Sequence, residues 1–197
     1  PVAPMLVWSD LRGMEEYKKL RAAGFTGWPQ VPSAKLPAAI ALSGRDPAAL
    51  QWGTLDSWLT YKLSGAHVTD ASAAWLTGYY DYATGSGWDA ALLAHQRLPL
   101  TMFPAQVESW GAIAESDPAV LGARVPITAL IADQEAAMVA HGALDRGDWK
   151  ATYGTSGVLM AGTGDVPETI HNSMPAEALA FSEGKARFCV EGMVITT

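Results

Sequence analysis

A carboxylate at the end of an apolar strand, followed one helix and one strand later by a glycine and threonine bend, can take a proton from a hydroxyl while holding a phosphate beside it. In this chain the carboxylate is Asp133, within Ile131-Ala132-Asp133-Gln134-Glu135-Ala136-Ala137, and the bend is Tyr153-Gly154-Thr155-Ser156-Gly157. Asp-Gln and Gly-Thr-x-Gly each occur by chance; their order, between apolar segments, is what points to phosphoryl transfer. Residues 125–131 form a near-continuous apolar run of the kind that makes a strand buried on both faces of an α/β sheet. Ligands of such sheets gather beyond the carboxyl ends of the strands, where Asp133 stands. Asp133 is also placed to cap the helix that follows, and the two roles are compatible. Judged by itself, the 154–157 segment is an ordinary hairpin bend.

The elements that must position these groups follow from pattern and punctuation. Pro4-Met5-Leu6-Val7-Trp8 reads as a short strand, residues 11–23 as an exposed amphipathic helix closed by Gly24, and residues 33–42 as a helix with proline in its first turn, ended by Gly44. Leu55, Trp58, Leu59 and Leu63 recur at helical spacing and predict a core-facing helix that stops at Gly65. Residues 67–72 read as a polar loop, 85–87 as a turn and 88–95 as a helix ended before Pro99. Beyond the strand at 125–131, residues 136–143 read as a helix and 145–148 as a turn. Residues 149–153 and 158–161 are the arms of a hairpin, 162–175 a surface loop and 190–195 a strand.

Composition bounds the rest. With 197 residues, 49% hydrophobic and 17% charged, the chain is of ordinary globular type. A net charge of -7 with no Lys/Arg cluster argues against nucleic acid as a partner. The single cysteine, Cys189, excludes an internal disulfide and a cysteine zinc site; it reads as a buried thiol and fits a reducing cytoplasm. His67, His95, His141 and His171 lack metal-ligand spacing, and Trp52, Trp58, Trp75 and Trp88 read as core and interface aromatics. No apolar run approaches the ~18 residues of a membrane span, and no export signal is legible at the start. Both ends, at Pro1 and after Ile195, read as cut within a longer protein.

At these residues the chain resembles the FGGY carbohydrate kinase family, which includes glycerol kinase, xylulokinase and gluconokinase. Val7-Trp8-Ser9-Asp10-Leu11-Arg12 resembles the family's Trp-x-Asp-x-Arg stretch, residues 53–62 its Gly-Thr-hydrophobic-Asp-Ser/Thr-Trp helix, and Val68-Thr69-Asp70-Ala71-Ser72 its Val-Thr-Asp-x-Ser loop. Residues 131–137 resemble its Gly-Asp-Gln-Gln-Ala-Ala site, 153–157 its phosphate turn, and Val190-Glu191-Gly192 its Leu-Glu-Gly strand. The turn and the Val-Thr-Asp-x-Ser loop lean slightly toward glycerol kinase.

The resemblance implies an α/β, ribonuclease H-like (actin-like ATPase) fold, with residues 1–144 the second part of the N-terminal kinase domain and 145–197 the start of the C-terminal one. It implies transfer of the ATP γ-phosphoryl group to a hydroxyl of a polyol or sugar (glycerol, a ketose or an aldonate), with Mg²⁺ between the phosphates and no protein residue assigned to the metal. Asp133 would be the general base and Gln134 a hydrogen-bond partner of a substrate hydroxyl. Trp8 would wall the substrate pocket, or else be core. Asp10 and Arg12 would hold each other or a hydroxyl, and Gln30 stands where glycerol kinase has a pocket tyrosine. Gly154, Thr155 and Gly157 would meet the nucleotide phosphates. Neither the family's Asp-x-Gly-Thr-Thr/Ser phosphate loop nor its late glycine-rich adenosine segment has a counterpart here, so the 197-residue piece by itself is expected to bind nucleotide poorly. Two departures stand out: Ala132 for a glycine, which narrows the backbone, and Glu135 for a glutamine, an added negative charge expected to raise the Asp133 pKa. The opposing reading is a non-catalytic sugar-sensing or assembly module; an actin-like ATPase without an acceptor is weaker. The acceptor and the oligomeric state, a homo-oligomer included, stay open.

Overall fold

The computed structural model describes residues 1–154, 156–170, 174–175 and 177–195. In chain order its helices and strands are α1 (Met14–Ala22), α2 (Pro32–Ser43), α3 (Leu55–Ser64), β1 (Val68–Asp70), α4 (Ala71–Trp75), α5 (Ala90–His95), β2 (Ala105–Val107) and β3 (Trp110–Glu115). There follow α6 (Pro118–Leu121), β4 (Pro126–Ala129), α7 (Asp133–Ala140), β5 (Trp149–Tyr153), β6 (Ser156–Gly164), β7 (Thr169–Ile170), β8 (Met174–Pro175), β9 (Glu177–Ser182) and β10 (Lys185–Ile195). The chain divides into two compact units, residues 1–54 with 74–105, and residues 55–73 with 106–197.

The first unit is helical. Glu15 and Glu16 open α1 and Lys19 and Arg21 close it, charges of the right sign for each end of the helix dipole. Pro32 starts α2 and Gly44, at φ 63°, ends it in the left-handed conformation glycine adopts cheaply. Pro37 lies inside α2 and has no N–H to give Ser33 O; that carbonyl accepts instead from Gln96 Nε2 at 3.0 Å. Leu20, Leu36, Tyr79, Leu92, Leu93, Met102 and Phe103 form the core, flanked by Trp52 and Trp88 as the aromatic reading expects. Asp89 caps α5 by accepting from the Ala91 and Leu92 amides. The strand expected at residues 4–8 does not form: the segment is irregular and no described strand pairs with it. An apolar run without a neighbouring edge has nothing to satisfy its backbone in extended form.

The second unit carries a four-stranded antiparallel sheet in the order β5-β6-β10-β9. Met138, Ala143, Val158, Met160 and Cys189 make its core, with Ile131 and Leu144 packed against it, so α7 lies on this sheet and the thiol is buried as expected. The expected β5–β6 hairpin is present, with Tyr153 opposite Gly157. Four expectations are corrected here. The run 125–131 is not a doubly buried strand; its strand part, β4, pairs antiparallel with β3, its one partner among the described residues, and is mostly exposed, because a two-stranded ladder leaves both faces open. In α3 the helical spacing is right and its direction is wrong: Ser57 and Thr60 are buried while Leu55 (54%), Trp58 (40%) and Leu59 (45%) are exposed. The small polar face allows close approach to β1 and β3, which α3 contacts. Residues 67–72, read as a loop, hold β1 and the start of α4. In the stretch 162–175 the chain continues β6 to Gly164 and pairs β7 with β8, while 171–173, His171 included, lie outside the described residues.

Candidate active site

Asp133 is the first residue of α7 and its side chain is exposed. It is not the N-cap; that position is Ala132, in an extended conformation (φ -66°, ψ 155°) that alanine takes without strain, so loss of the glycine costs nothing here. Asp133 Oδ1 accepts from the Gln134 amide at 2.9 Å. The turn that presents it hangs on one buried carboxylate, Asp70. Asp70 accepts from Ser109 Oγ (2.7 Å), Ser72 Oγ (2.8 Å) and the Ala73 amide (3.0 Å). Ser72 Oγ, its hydrogen committed to Asp70, accepts in turn from the Ala132 amide at 2.8 Å, and Ser109 O accepts from the Leu130 amide at 2.9 Å. The Val-Thr-Asp-x-Ser motif therefore serves to fix the backbone immediately before Asp133. Burial raises the Asp70 pKa above the ordinary carboxylate value, and its donors pull the other way.

Gln134 does not sit in solvent. Its Oε1 accepts from Lys150 Nζ at 2.5 Å and from Thr152 Oγ1 at 3.3 Å, and Lys150 Nζ also donates to Thr152 Oγ1 at 3.0 Å. Lys150 is 5% exposed. Residues 150 and 152 share a face of β5 because strand side chains alternate, a signal available in the sequence and not used there. Glu135 faces inward, one helical turn before the buried Met138. It is 1% exposed, its Oε2 has no partner among the described residues, and burial pushes its pKa up to about 8, with Glu191, Asp70 and Asp133 adding to the rise. The negative charge expected of Glu135 is therefore largely absent at neutral pH, since a carboxyl this dry keeps its proton. Glu191 on β10 is also raised, by burial first, with Lys150 opposing and Asp133 reinforcing.

At the tip of the β5–β6 hairpin Gly154 is exposed, whereas Gly157 lies one step into the sheet, between Tyr153 and Val194. Thr155 lies outside the described residues. In the first unit Trp8 is 77% exposed. The backbone beside it is held by the buried Lys35, whose Nζ donates to Val7 O (2.9 Å) and Trp8 O (3.3 Å); burial lowers the Lys35 pKa, and Asp10 partly opposes this. Asp10 and Arg12 hold each other, with Arg12 Nη2 2.8 Å from Asp10 Oδ2 and the Arg12 amide and Nε both on Oδ1. These bonds, the backbone one first, hold the Asp10 carboxyl below its usual pKa. Gln30 is half-buried in the turn before α2. The structure thus groups Asp133, Gln134, Lys150, Thr152, Glu135 and Glu191 in one unit, and Trp8, Asp10, Arg12 and Gln30 in the other. Lys150, Asp70, Ser72 and Lys35 are site-building residues that sequence reasoning did not single out by chemistry.

No helix among the described residues is long and apolar enough to cross a membrane. Solved structures that superpose on this chain include sugar and polyol kinases, and they share its α/β, ribonuclease H-like fold. A glycerol kinase from Plasmodium falciparum with ADP superposes with a TM-score of 0.85 at 21% identity, over 97% of this chain and 42% of that one. A xyloylose kinase from Brucella ovis gives 0.84 at 21% identity, over 100% and 42%. Residues 41–140 match the N-terminal domain of the FGGY family of carbohydrate kinases, and the chain belongs to that family. A glycerol kinase from Gloeobacter violaceus is 36% identical over 211 residues, covering 100% of this chain and 42% of the relative. The chain therefore spans less than half the length of the curated relatives it matches.

Proposed function

We propose that the protein carrying this chain transfers the γ-phosphoryl group of ATP to a hydroxyl of a polyol or sugar, with Asp133 as general base. The observation that supports this best is an exposed carboxylate at the head of α7 on a mount of buried hydrogen bonds, beside an amide whose orientation is fixed. In the reaction the acceptor oxygen attacks the γ-phosphorus, the bond from that phosphorus to the bridging oxygen breaks, and ADP leaves with the electron pair. Asp133 accepts the proton of the attacking hydroxyl as the new bond forms. Gln134 donates to an acceptor oxygen of the substrate; Trp8, Asp10, Arg12 and Gln30 are assigned to substrate binding by their resemblance to the family's residues. Gly154, Thr155 and Gly157 meet the phosphates. The exposed hairpin tip at Gly154 suits that role, since a glycine lets backbone N–H groups approach an anion closely. Mg²⁺, carried on the phosphates, would neutralise the charge that accumulates there. Residues 1–144 belong to the first kinase domain in this reading and 145–197 begin the second.

The test is a phosphorylation assay on the protein expressed from its complete reading frame, with ATP, Mg²⁺ and glycerol, xylulose or gluconate. Asp133→Asn should lower kcat by roughly 10²- to 10⁴-fold. Equal turnover by the variant removes Asp133 from the mechanism, and acceptance of none of the compounds by the parent protein favours a non-catalytic module.

A further inference from the structure

We propose that Lys150 is a positioning residue that sets which end of the Gln134 amide meets the substrate. An ammonium carries donors only, so the atom of Gln134 that lies 2.5 Å from Lys150 Nζ has to be the oxygen. Thr152 Oγ1, itself taking a hydrogen from Lys150, gives its own hydrogen to the same oxygen at 3.3 Å. Both acceptor sites of Oε1 are thereby spent on β5, and no hydrogen bond among the described residues uses Nε2. An unrestrained glutamine amide can rotate by half a turn and offer either a donor or an acceptor; this one offers a donor alone. Lys150 is itself held in place, because its stem is buried in the strand, and its charge lies close enough to Glu191 to oppose the effect of burial on that carboxyl.

The consequence is a rule about the substrate, and it rests on the reading that Gln134 faces the acceptor. The oxygen recognised by Gln134 must accept a hydrogen bond, so a hydroxyl there keeps its own hydrogen for another partner, and a carbonyl or carboxylate oxygen serves as well. A group able only to donate is rejected, since it would leave the Nε2 hydrogens unpaired.

The experiment uses the protein from its complete reading frame, with glycerol, xylulose and gluconate as acceptors and ATP with Mg²⁺. Gln134→Leu and Lys150→Met should each raise the acceptor KM by roughly three- to tenfold, with kcat changing far less, because an interaction present in both ground and transition states is lost. Lys150→Arg, which keeps donors toward Oε1, should restore most of the parent KM, a rescue that a purely structural role for the stem does not predict. If Lys150→Met does not fold, Gln134→Glu carries the test: it keeps an oxygen for Lys150 and loses the donor, and the same rise in KM is expected. A rise with Gln134→Leu but none with Lys150→Met, or the reverse, overturns the coupling while leaving the kinase reading intact. No change with either variant, or no acceptor phosphorylated by the parent protein, overturns the kinase role of Gln134 and this proposal with it.

Discussion

Glu135→Gln tests the idea that the carboxyl behind Asp133 is a neutral acid in the folded protein. Its pKa moves from 4.5 to about 8, first because burial penalises the ion, with the charges of Glu191, Asp70 and Asp133 adding to the rise. A pKa that is higher in the folded state means the native protein holds a proton the unfolded chain has released. The stabilisation is therefore complete below 4.5 and is lost as pH rises toward 8. At ~1.4 kcal/mol per pH unit, the whole span is worth at most ~5 kcal/mol. Glutamine has the same shape and no charge to desolvate, so the variant should match the parent near pH 4 and exceed it progressively up to about pH 8. Asp70 and Glu191, also raised by burial, titrate in both proteins and cancel from the difference apart from their coupling to Glu135. The assay is urea unfolding of the 197-residue chain and its Glu135→Gln variant between pH 4 and pH 9, read as the difference between the two. A difference that does not change with pH refutes the argument, as does a carboxyl carbon resonance of Glu135 that titrates near 4.5.

Other expectations follow from particular contacts. Ser72→Ala removes the acceptor of the Ala132 amide and a donor to Asp70, and should destabilise the chain by about 1–3 kcal/mol in urea unfolding. Gly162→Ala places a methyl 2.5 Å from Asp145 O in ordinary backbone, and thermal unfolding should show a loss of about 1–3 kcal/mol. Leu55→Ala, on the outward stripe of α3, should cost under about 1 kcal/mol in this chain, whereas Met160→Ala in the sheet core should cost about 2–5 kcal/mol. Equal losses at the two sites would return α3 to the core-facing reading.

What could be read directly from the residues is what neighbours in sequence decide. The hairpin of β5 and β6, the carboxyl ends of α2 and α5, and the turn at 145–148 depend on glycine, proline and capping chemistry within a few positions. Cys189 was legible as a buried thiol, and the family and its α/β fold were legible in motifs that span the chain. Spacing placed Leu55, Trp58 and Leu59 on one face of α3, yet only packing decided that the opposite face, Ser57 and Thr60, is the buried one. The apolar run before Asp133 specified extended backbone without specifying how many strands would flank it. The environment of the reactive carboxylate was the least legible part. Asp70 reaches it through Ser72 and Lys150 reaches its neighbour from β5, so geometry and protonation there come from side chains brought together over sequence separations that no local pattern encodes. Periodicity determines which residues share a face; whether that face meets water, a lysine or another carboxyl is settled by long-range closure of the chain, and burial then sets the charge.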